Sequence, residues 1–446
     1  MVVGAILLAT GLARAGYEWE LDNDVTLRLG GDIRVRMTHI DRDALNPDWG
    51  FLGLPTGPAL EWLRVRERVW AGLDFGEDVH LKMRLVNRWH HTSSHLRDPN
   101  NPKNDHGGPY GNTWQFPDEV IFDQLVLQLD NVMDSNWSLS LGRQDVILGN
   151  GMVLLEGSPF DQGRTIYFDG AVATYQGEQD TLKLLALWTQ QKDEFALIND
   201  QNRELSYGDT TILGPYWTHR FSPAVNTDLY CLWTDVEDEI DLDDATGWIY
   251  GGRVFGAMSE TVNYSLEATK LHGVGGIGDP LDLTGYMVDA RLGFKLAEDT
   301  ELKPRLNLEF ARFSGDDAGS AGEYEGWFPV YSQYPIWREE LLPIMTNAYW
   351  SNFDIYRAEL ALQLAENVRL STSYARLQAL EEDTAAGTTF GTGDDEHIGD
   401  LLSAFVDWQV NKSVVVKLES AFFFPGDYFA DGTNSEWLRL ETVFTF

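Results

Sequence analysis

Between Val25 and His39 the chain alternates. Val25, Leu27, Leu29, Ile33, Val35 and Met37 are apolar, with Gly31 among them, and the intervening positions include Thr26, Arg28, Asp32, Arg34, Arg36 and Thr38. Successive side chains on a strand point to opposite sides, so this period of two predicts a strand with one apolar and one cationic face. A strand that crosses an outer membrane needs about 9–11 tilted residues, whereas soluble strands run to about 5–6, so the length favours lipid on one side and water on the other.

The same alternation predicts strands near 63–75, 79–90, 120–130, 137–148, 166–176, 181–192, 212–220, 225–236, 247–258, 260–271, 284–296, 301–313, 355–364, 368–378, 401–410, 413–424 and 436–446. The set numbers about 18, an even count within the range of bacterial barrels. Short links such as Gly76-Glu77-Asp78, Gly177–Asp180, Ala297–Thr300 and Glu366-Asn367 alternate with longer ones at 40–62, 91–119, 314–354 and 379–400. The predicted fold is therefore all-β, a single transmembrane antiparallel β-barrel with short periplasmic turns and long extracellular loops. Trp137, Trp188, Trp233, Trp248, Tyr264, Tyr286, Tyr374 and Trp408 fall on or near the apolar parity, where interfacial girdles form.

Composition narrows the compartment. After the extreme N-terminus no apolar run in the 446 residues is long enough for a membrane helix. Residues 2–13 form a short apolar stretch that leads into Ala13-Arg14-Ala15, so residues 1–15 read as a signal peptide without its usual basic start, and 16–446 as the barrel. Cys231 is the one cysteine, which excludes an internal disulfide. A formal charge of −37 argues against nucleic acid or an anionic membrane surface as a partner. The last strand places Leu438, Leu440, Thr442, Phe444 and Phe446 on one face. That ending resembles the C-terminal signal of outer-membrane barrels, so outer-membrane lipid and the barrel assembly machinery are expected partners.

Base is concentrated on the polar face of the first strands, which present Arg28, Arg34 and Arg36, then Arg64, Arg66 and Arg68, then Lys82, Arg84 and Arg88. Neighbouring strands lie roughly 5 Å apart, so these rows stand side by side, and an Arg at the lipid midplane costs on the order of 2–4 kcal/mol, so they face water. Further bases on the inward parity are Arg143, Arg253, Arg291, Lys295, Lys303, Arg305, Arg357, Arg369, Lys417 and Arg439. The inward acids Asp32, Asp74, Glu267, Asp289, Glu309, Glu359, Asp407, Glu419 and Glu441 are candidates to pair with them, so Arg–carboxylate ladders that brace the wall explain such residues, and so does a path for anions. Few acids stand on the same three strands, which favours the anion path. Arg34, Arg66 and Arg84 are then expected to line the pore and to be replaceable by Ser without loss of the fold. Glu67 breaks the pattern, because its parity faces lipid between Val65 and Val69; a bulge or a partner near an interface would account for it.

Other chemistry is weaker. The acidic run 235–244 contains Asp241, Asp243 and Asp244, candidate ligands for Ca²⁺ in a loop, but it lacks the Gly-punctuated EF-hand spacing. His90, His91, His95 and His106 share a segment without a tetrahedral set. Neither a Gly-x-Ser-x-Gly elbow nor a His-Glu-x-x-His pair is present, so no enzyme is expected.

The sharpest motif runs Leu139-Ser140-Leu141-Gly142-Arg143-Gln144-Asp145, continues to Gly149, and is followed by Phe160-Asp161, Arg164-Thr165 and Tyr167-Phe168-Asp169-Gly170. It resembles the alginate-export porin family, in which a Gly-Arg-Gln strand end leads through a loop to Arg-Thr and a Phe-Asp-Gly strand. The resemblance implies an outer-membrane channel with an electropositive constriction that passes an anionic polysaccharide, an alginate-like polyuronate, outward. Arg143 and Arg164 match the family motif; the other bases rest on parity alone. A small-anion or general diffusion porin stays open beside that reading, and so does the role of the long segments 91–119 and 314–354, as plug or as surface loop.

Overall fold

The alternation becomes strands along most of the chain. The computed structural model describes residues 16–21, 24–41, 59–92, 114–115, 119–156, 167–191, 196–199, 208–237, 244–276, 280–317, 319–320, 322–327, 337–338, 341, 351–381, 396–428 and 434–446. In chain order the strands are β1 (Gly16–Leu21), β2 (Val25–Asp41), β3 (Ala59–Phe75), β4 (Val79–Thr92), β5 (Trp114–Gln115), β6 (Glu119–Leu129), β7 (Trp137–Arg143), β8 (Val146–Ile147), β9 (Leu155–Glu156), β10 (Asp169–Gln176), β11 (Asp180–Thr189), β12 (Ala196–Asn199), β13 (Asp209–Ser222), β14 (Val225–Glu237), β15 (Ala245–Ala257), β16 (Val262–Gly275), β17 (Leu281–Leu283), β18 (Tyr286–Lys295), β19 (Arg305–Phe313), β20 (Glu323–Tyr324), β21 (Phe353–Ala365), β22 (Val368–Ala379), β23 (His397–Asn411), β24 (Val414–Pro425) and β25 (Ser435–Thr445).

Eighteen of these form a closed antiparallel wall, each paired with the next. They are β2 to β4, β6, β7, β10, β11, β13 to β16, β18, β19 and β21 to β25. Closure comes from β2, which pairs with β3 on one side and β25 on the other. The ladder satisfies backbone polar groups without exposing an edge to lipid, the condition a spanning sheet must meet. No helix among the described residues is long and apolar enough to cross a membrane.

Outward positions form the apolar belt. Leu184, Leu229, Leu266, Leu292, Leu360 and Leu402 are between 38% and 51% exposed, which marks a surface meant for lipid rather than water. Trp188, Trp248, Tyr286, Tyr374 and Trp408 are exposed on the same face, as the girdle reading requires. At the periplasmic end β1 pairs with the first half of β2, from Gly16 opposite Gly30 to Leu21 opposite Val25. The Phe446 backbone takes the next place on that edge, exchanging hydrogen bonds of 2.9 and 3.0 Å with Gly31.

Most strands match the sequence reading to within about four residues at each end, and three ends differ for a reason that the chain shows. The strand expected over 137–148 ends at Arg143, because Gly142 has φ +113 and turns the chain off the wall. Its partner begins at Asp169 rather than 166. The strand expected over 301–313 begins at Arg305; Lys303, at φ +40 and ahead of Pro304, is exposed in the preceding turn, so it is not a wall base. The expected signal segment, residues 1–15, lies outside the described residues.

Candidate functional site

The register of β2, β3 and β4 sets like charges opposite one another. Arg34 is the Cα partner of Arg66 and Arg36 of Arg64, and Arg66 is in turn opposite Arg88. Like charges directly opposite destabilise a sheet pair, so such rows form only where anions compensate them. The acids come largely from elsewhere in the chain. Glu441 on β25, 405 residues from Arg36, accepts from its Nε at 2.7 Å and stands 3.9 Å from Arg34. Asp32 pairs with Arg66 at 3.3 Å and with Arg68 at 2.8 Å. Arg84 reaches Asp123 at 2.7 Å and Asp145 at 3.4 Å. Arg64 stacks over the Trp62 ring at 5.4 Å, and Arg88 is half-buried on the same face.

These pairs correct one expectation. Arg34 and Arg66 are 3% and 4% exposed, so they lie beneath the lumen surface rather than on it. Removing one partner of a buried pair costs about 3–5 kcal/mol, so exchanging Arg34, Arg66 and Arg84 for Ser would strain the fold rather than spare it. The exposed bases lie toward the periplasmic end. Arg28 keeps 54% of its side chain exposed while pairing with Glu18 at 3.0 Å and with Asp74. Lys82 is exposed and reaches Gln128 at 3.4 Å. Farther round the wall Arg305 is opposite Lys295, another like-charged cross-strand pair, whereas Arg369 and Lys417 each stand opposite Asp407 and Lys417 pairs with Glu441 at 2.9 Å.

The motif residues do a different job from the one parity assigned. Arg143 is 3% exposed and clamps Asp169 with both fork nitrogens, Nε at 2.9 Å and Nη2 at 2.8 Å. It also donates to the Phe122 carbonyl at 3.0 Å and lies over the Tyr167 ring at 4.2 Å. Gln144 and Phe168 exchange backbone hydrogen bonds of 2.8 and 3.0 Å. The effect of this clamp is local: it fixes the point at which the chain leaves the wall, so Arg143 is a structural anchor and not a pore residue. Arg164 lies outside the described residues.

From that point residues 144–156 fold into the lumen as a hairpin built on β8 and β9. Leu148, Met152, Val153, Leu154 and Leu155 are buried. The tip, Gly149-Asn150-Gly151, turns with φ +56 and +81 at its glycines. Asn150 reaches the wall on the other side, donating to Ser265 Oγ at 3.0 Å and Asp289 Oδ2 at 3.1 Å and accepting from Arg253 at 2.6 Å. Arg291, expected at the pore, is held by Asp289 and Glu309, each at 2.9 Å, and donates to Met152 Sδ at 3.3 Å. At the hairpin root Asp145 accepts from Gln124 at 2.6 Å, and burial pushes its carboxyl above the usual range against the pull of Arg84.

A second insertion comes from the segment 314–352. Trp327 and Leu341 are fully buried, and Trp337 donates to Glu309 at 2.7 Å. Arg338 grips Asp407 at 2.8 and 2.9 Å and Glu419 at 2.7 Å, and its carbonyl accepts from Arg439 at 3.2 Å. Burial opposes the Arg338 charge, but Glu419 and Asp407 more than offset it and raise its pKa. Of the two long segments, 314–354 brings Trp337 and Arg338 of its described residues to the inner wall, while most of 91–119 lies outside the described residues.

No metal site emerges among the described residues, where no three His, Cys, Asp or Glu side chains stand close enough to hold an ion. Asp241 and Asp243 lie outside the described residues, and Asp244 is exposed at the start of β15. The sequence reading named Asp145 and Asp169 within the motif without giving them a role, and it missed Asn150 and Arg338. The Gly-Asn-Gly triplet at 149–151 was the visible signal for the first insertion.

The alginate export family model matches residues 49–441. The chain belongs to the alginate export family. No curated protein matches the sequence of this family member. Solved structures share its fold at low identity. OpdQ of Pseudomonas aeruginosa has a TM-score of 0.55 at 11% identity, covering 94% of this chain and 97% of that one. OccAB4 of Acinetobacter baumannii has 0.55 at 10%, covering 94% and 98%. OccK2 (OpdF) of Pseudomonas aeruginosa, in complex with glucuronate, has 0.53 at 12%, covering 94% and 96%. This alginate export family member is an outer-membrane barrel of the porin type.

Proposed function

We propose that the barrel is a transport channel whose electropositive lumen carries an alginate-like polyuronate outward across the outer membrane. The observation that carries this reading is the register that sets Arg34 opposite Arg66 and Arg36 opposite Arg64. The wall does set acids opposite bases, Glu441 opposite Arg36 and Asp32 opposite Arg68, yet on β2, β3 and β4 cations also face cations, which concentrates positive charge on three consecutive strands. Family membership and the glucuronate bound by the OccK2 neighbour support the same chemistry.

Arg28 and Lys82, exposed at the periplasmic end, meet an incoming carboxylate first. The buried Arg rows behind them supply a field that lowers the barrier without gripping the cargo. A polyuronate carries one carboxylate per sugar, so several weak sites share the chain and none traps it. Acidic outer loops, the source of much of the −37 net charge, then repel the emerging polymer. The exposed apolar belt supports embedding in outer-membrane lipid.

The test is single-channel block by oligouronates of increasing length. Longer oligomers should block more strongly from the periplasmic side. Arg28→Ser with Lys82→Ser should slow the onset of block several-fold while the folded barrel keeps its gel mobility. A pore that passes chloride or phosphate and ignores every oligouronate is a small-anion porin, the reading that the two lumen insertions favour through the space they occupy.

A further inference from the structure

The outward face of the wall carries few bases, and they gather in one arc. Among the described wall strands, the lysine and arginine side chains on the outward parity are Lys270 on β16, Arg312 on β19 and Arg376 on β22. Each shares its parity with an exposed residue of the belt: Lys270 with Leu266, Arg312 with Leu308 and Arg376 with Tyr374. All three stand toward the strand ends that lead into long links, at the extracellular rim. Outward acids are scattered by comparison. Glu67 stands at mid-belt on β3, on ladders that pass through it without a register shift, which removes the bulge as its explanation.

The three cations lie on neighbouring strands. The wall runs β16, β18, β19, β21, β22, so the arc spans roughly 19 Å at about 4.8 Å per strand. Lys270 is opposite Tyr286, Arg312 opposite Asp354, and Arg376 opposite Tyr356 and Asp400. Each keeps donors to give. Lys270 spends one of its three N–H groups on the Thr284 carbonyl at 2.7 Å. Arg312 spends two of its five on Asp354, at 2.7 and 2.6 Å, with the Tyr286 hydroxyl beside it. Arg376 is exposed, with the Tyr374 hydroxyl beside it. The two acids of the arc are engaged already: Asp354 by Arg312, and Asp400 by the Tyr374 hydroxyl at 2.6 Å and His397 at 3.4 Å.

We propose that this arc binds the phosphate of a phosphorylated lipid in the outer leaflet. A base on the lipid face costs most at the bilayer midplane and little at the interface, so cations confined to one rim belong at headgroup depth. A phosphate there offers acceptor oxygens, which guanidinium forks match in pairs and an ammonium meets as a point charge. The rest of the chain favours a lipid over free phosphate. With a net charge of −37 the protein as a whole repels small anions, whereas acyl chains lying on the exposed Leu266 and Leu308 hold a lipid's phosphate at the level of the arc.

The experiment is native mass spectrometry of the full-length folded barrel in detergent with diphosphoryl lipid A as the probe. The arc predicts lipid A adducts on the unaltered chain and several-fold fewer on Lys270→Gln with Arg376→Gln. Lys412→Gln, which removes an exposed cation from the turn between β23 and β24 at the periplasmic end, should leave them unchanged. Phosphatidylcholine should give few adducts, and inorganic phosphate at equal concentration should not displace lipid A. Heat-modifiable gel mobility confirms the fold of each variant, and the exposed Arg376→Gln alone should show a smaller loss in the same direction. Adducts that are absent, indifferent to both arc substitutions, lost equally with Lys412→Gln, matched by phosphatidylcholine or displaced by inorganic phosphate would overturn the proposal.

Discussion

Arg143 holds its place by charge and shape together: a planar fork on Asp169, a carbonyl above it and a Tyr ring across its face. Asp169→Asn leaves the buried guanidinium without a counter-charge, and the cost should be about 3–5 kcal/mol. A lower temperature for loss of the folded gel band, together with noisier open-channel current as the hairpin loosens, checks this. Asp145 carries a pH dependence with a definite sign. Its folded pKa is raised by burial, so the folded state holds the proton more tightly than the unfolded one, and this contribution to stability is full at low pH and declines as pH rises from the ordinary Asp range through the raised value. Mild acid should therefore quiet the channel noise, and Asp145→Asn should flatten that response; noise that grows on acidification would reverse the sign. Arg143 was visible in the sequence as a motif residue, yet parity gave it the wrong task. The glycine before it is legible, but its φ of +113, which resets the parity of the residues after it, is not.

The wall strands were readable because lipid and water impose a strict period of two on them, and their links because the two rims differ in length. The lumen hairpin was not, since Val146, Ile147 and Leu148 extend the apolar run of β7 and look like more strand. An inserted segment is buried on every side, so it carries no alternation to betray it. Gly142→Ala tests the turn: a Cβ there runs into the Leu125 carbonyl oxygen, and the backbone lies where L-residues are strained. The folded yield should fall sharply, as measured by heat-modifiable mobility after refolding. Arg338→Ala addresses the second insertion. It removes the fork that holds Asp407 and leaves Glu419 to Arg439, so Trp337 keeps the insertion on the wall by its bond to Glu309 alone and single-channel conductance should rise; unchanged conductance would mean that the insertion does not restrict the lumen.

Across the whole molecule, closure decides what the bases do. The sequence shows rows of Arg on three strands but not that Glu441, at the far end of the chain, lands beside them, because that proximity exists only once β25 meets β2. The result is a layered wall, with buried paired cations below and exposed ones at the periplasmic mouth. The proposed positive sign of the lumen rests on like charges set opposite one another, and that sign is the central claim about this channel. The measurement that tests it most directly is the zero-current reversal potential of the purified barrel in a planar bilayer across a KCl gradient. The account predicts a potential displaced toward the chloride equilibrium value; a potential displaced toward that of potassium would contradict it.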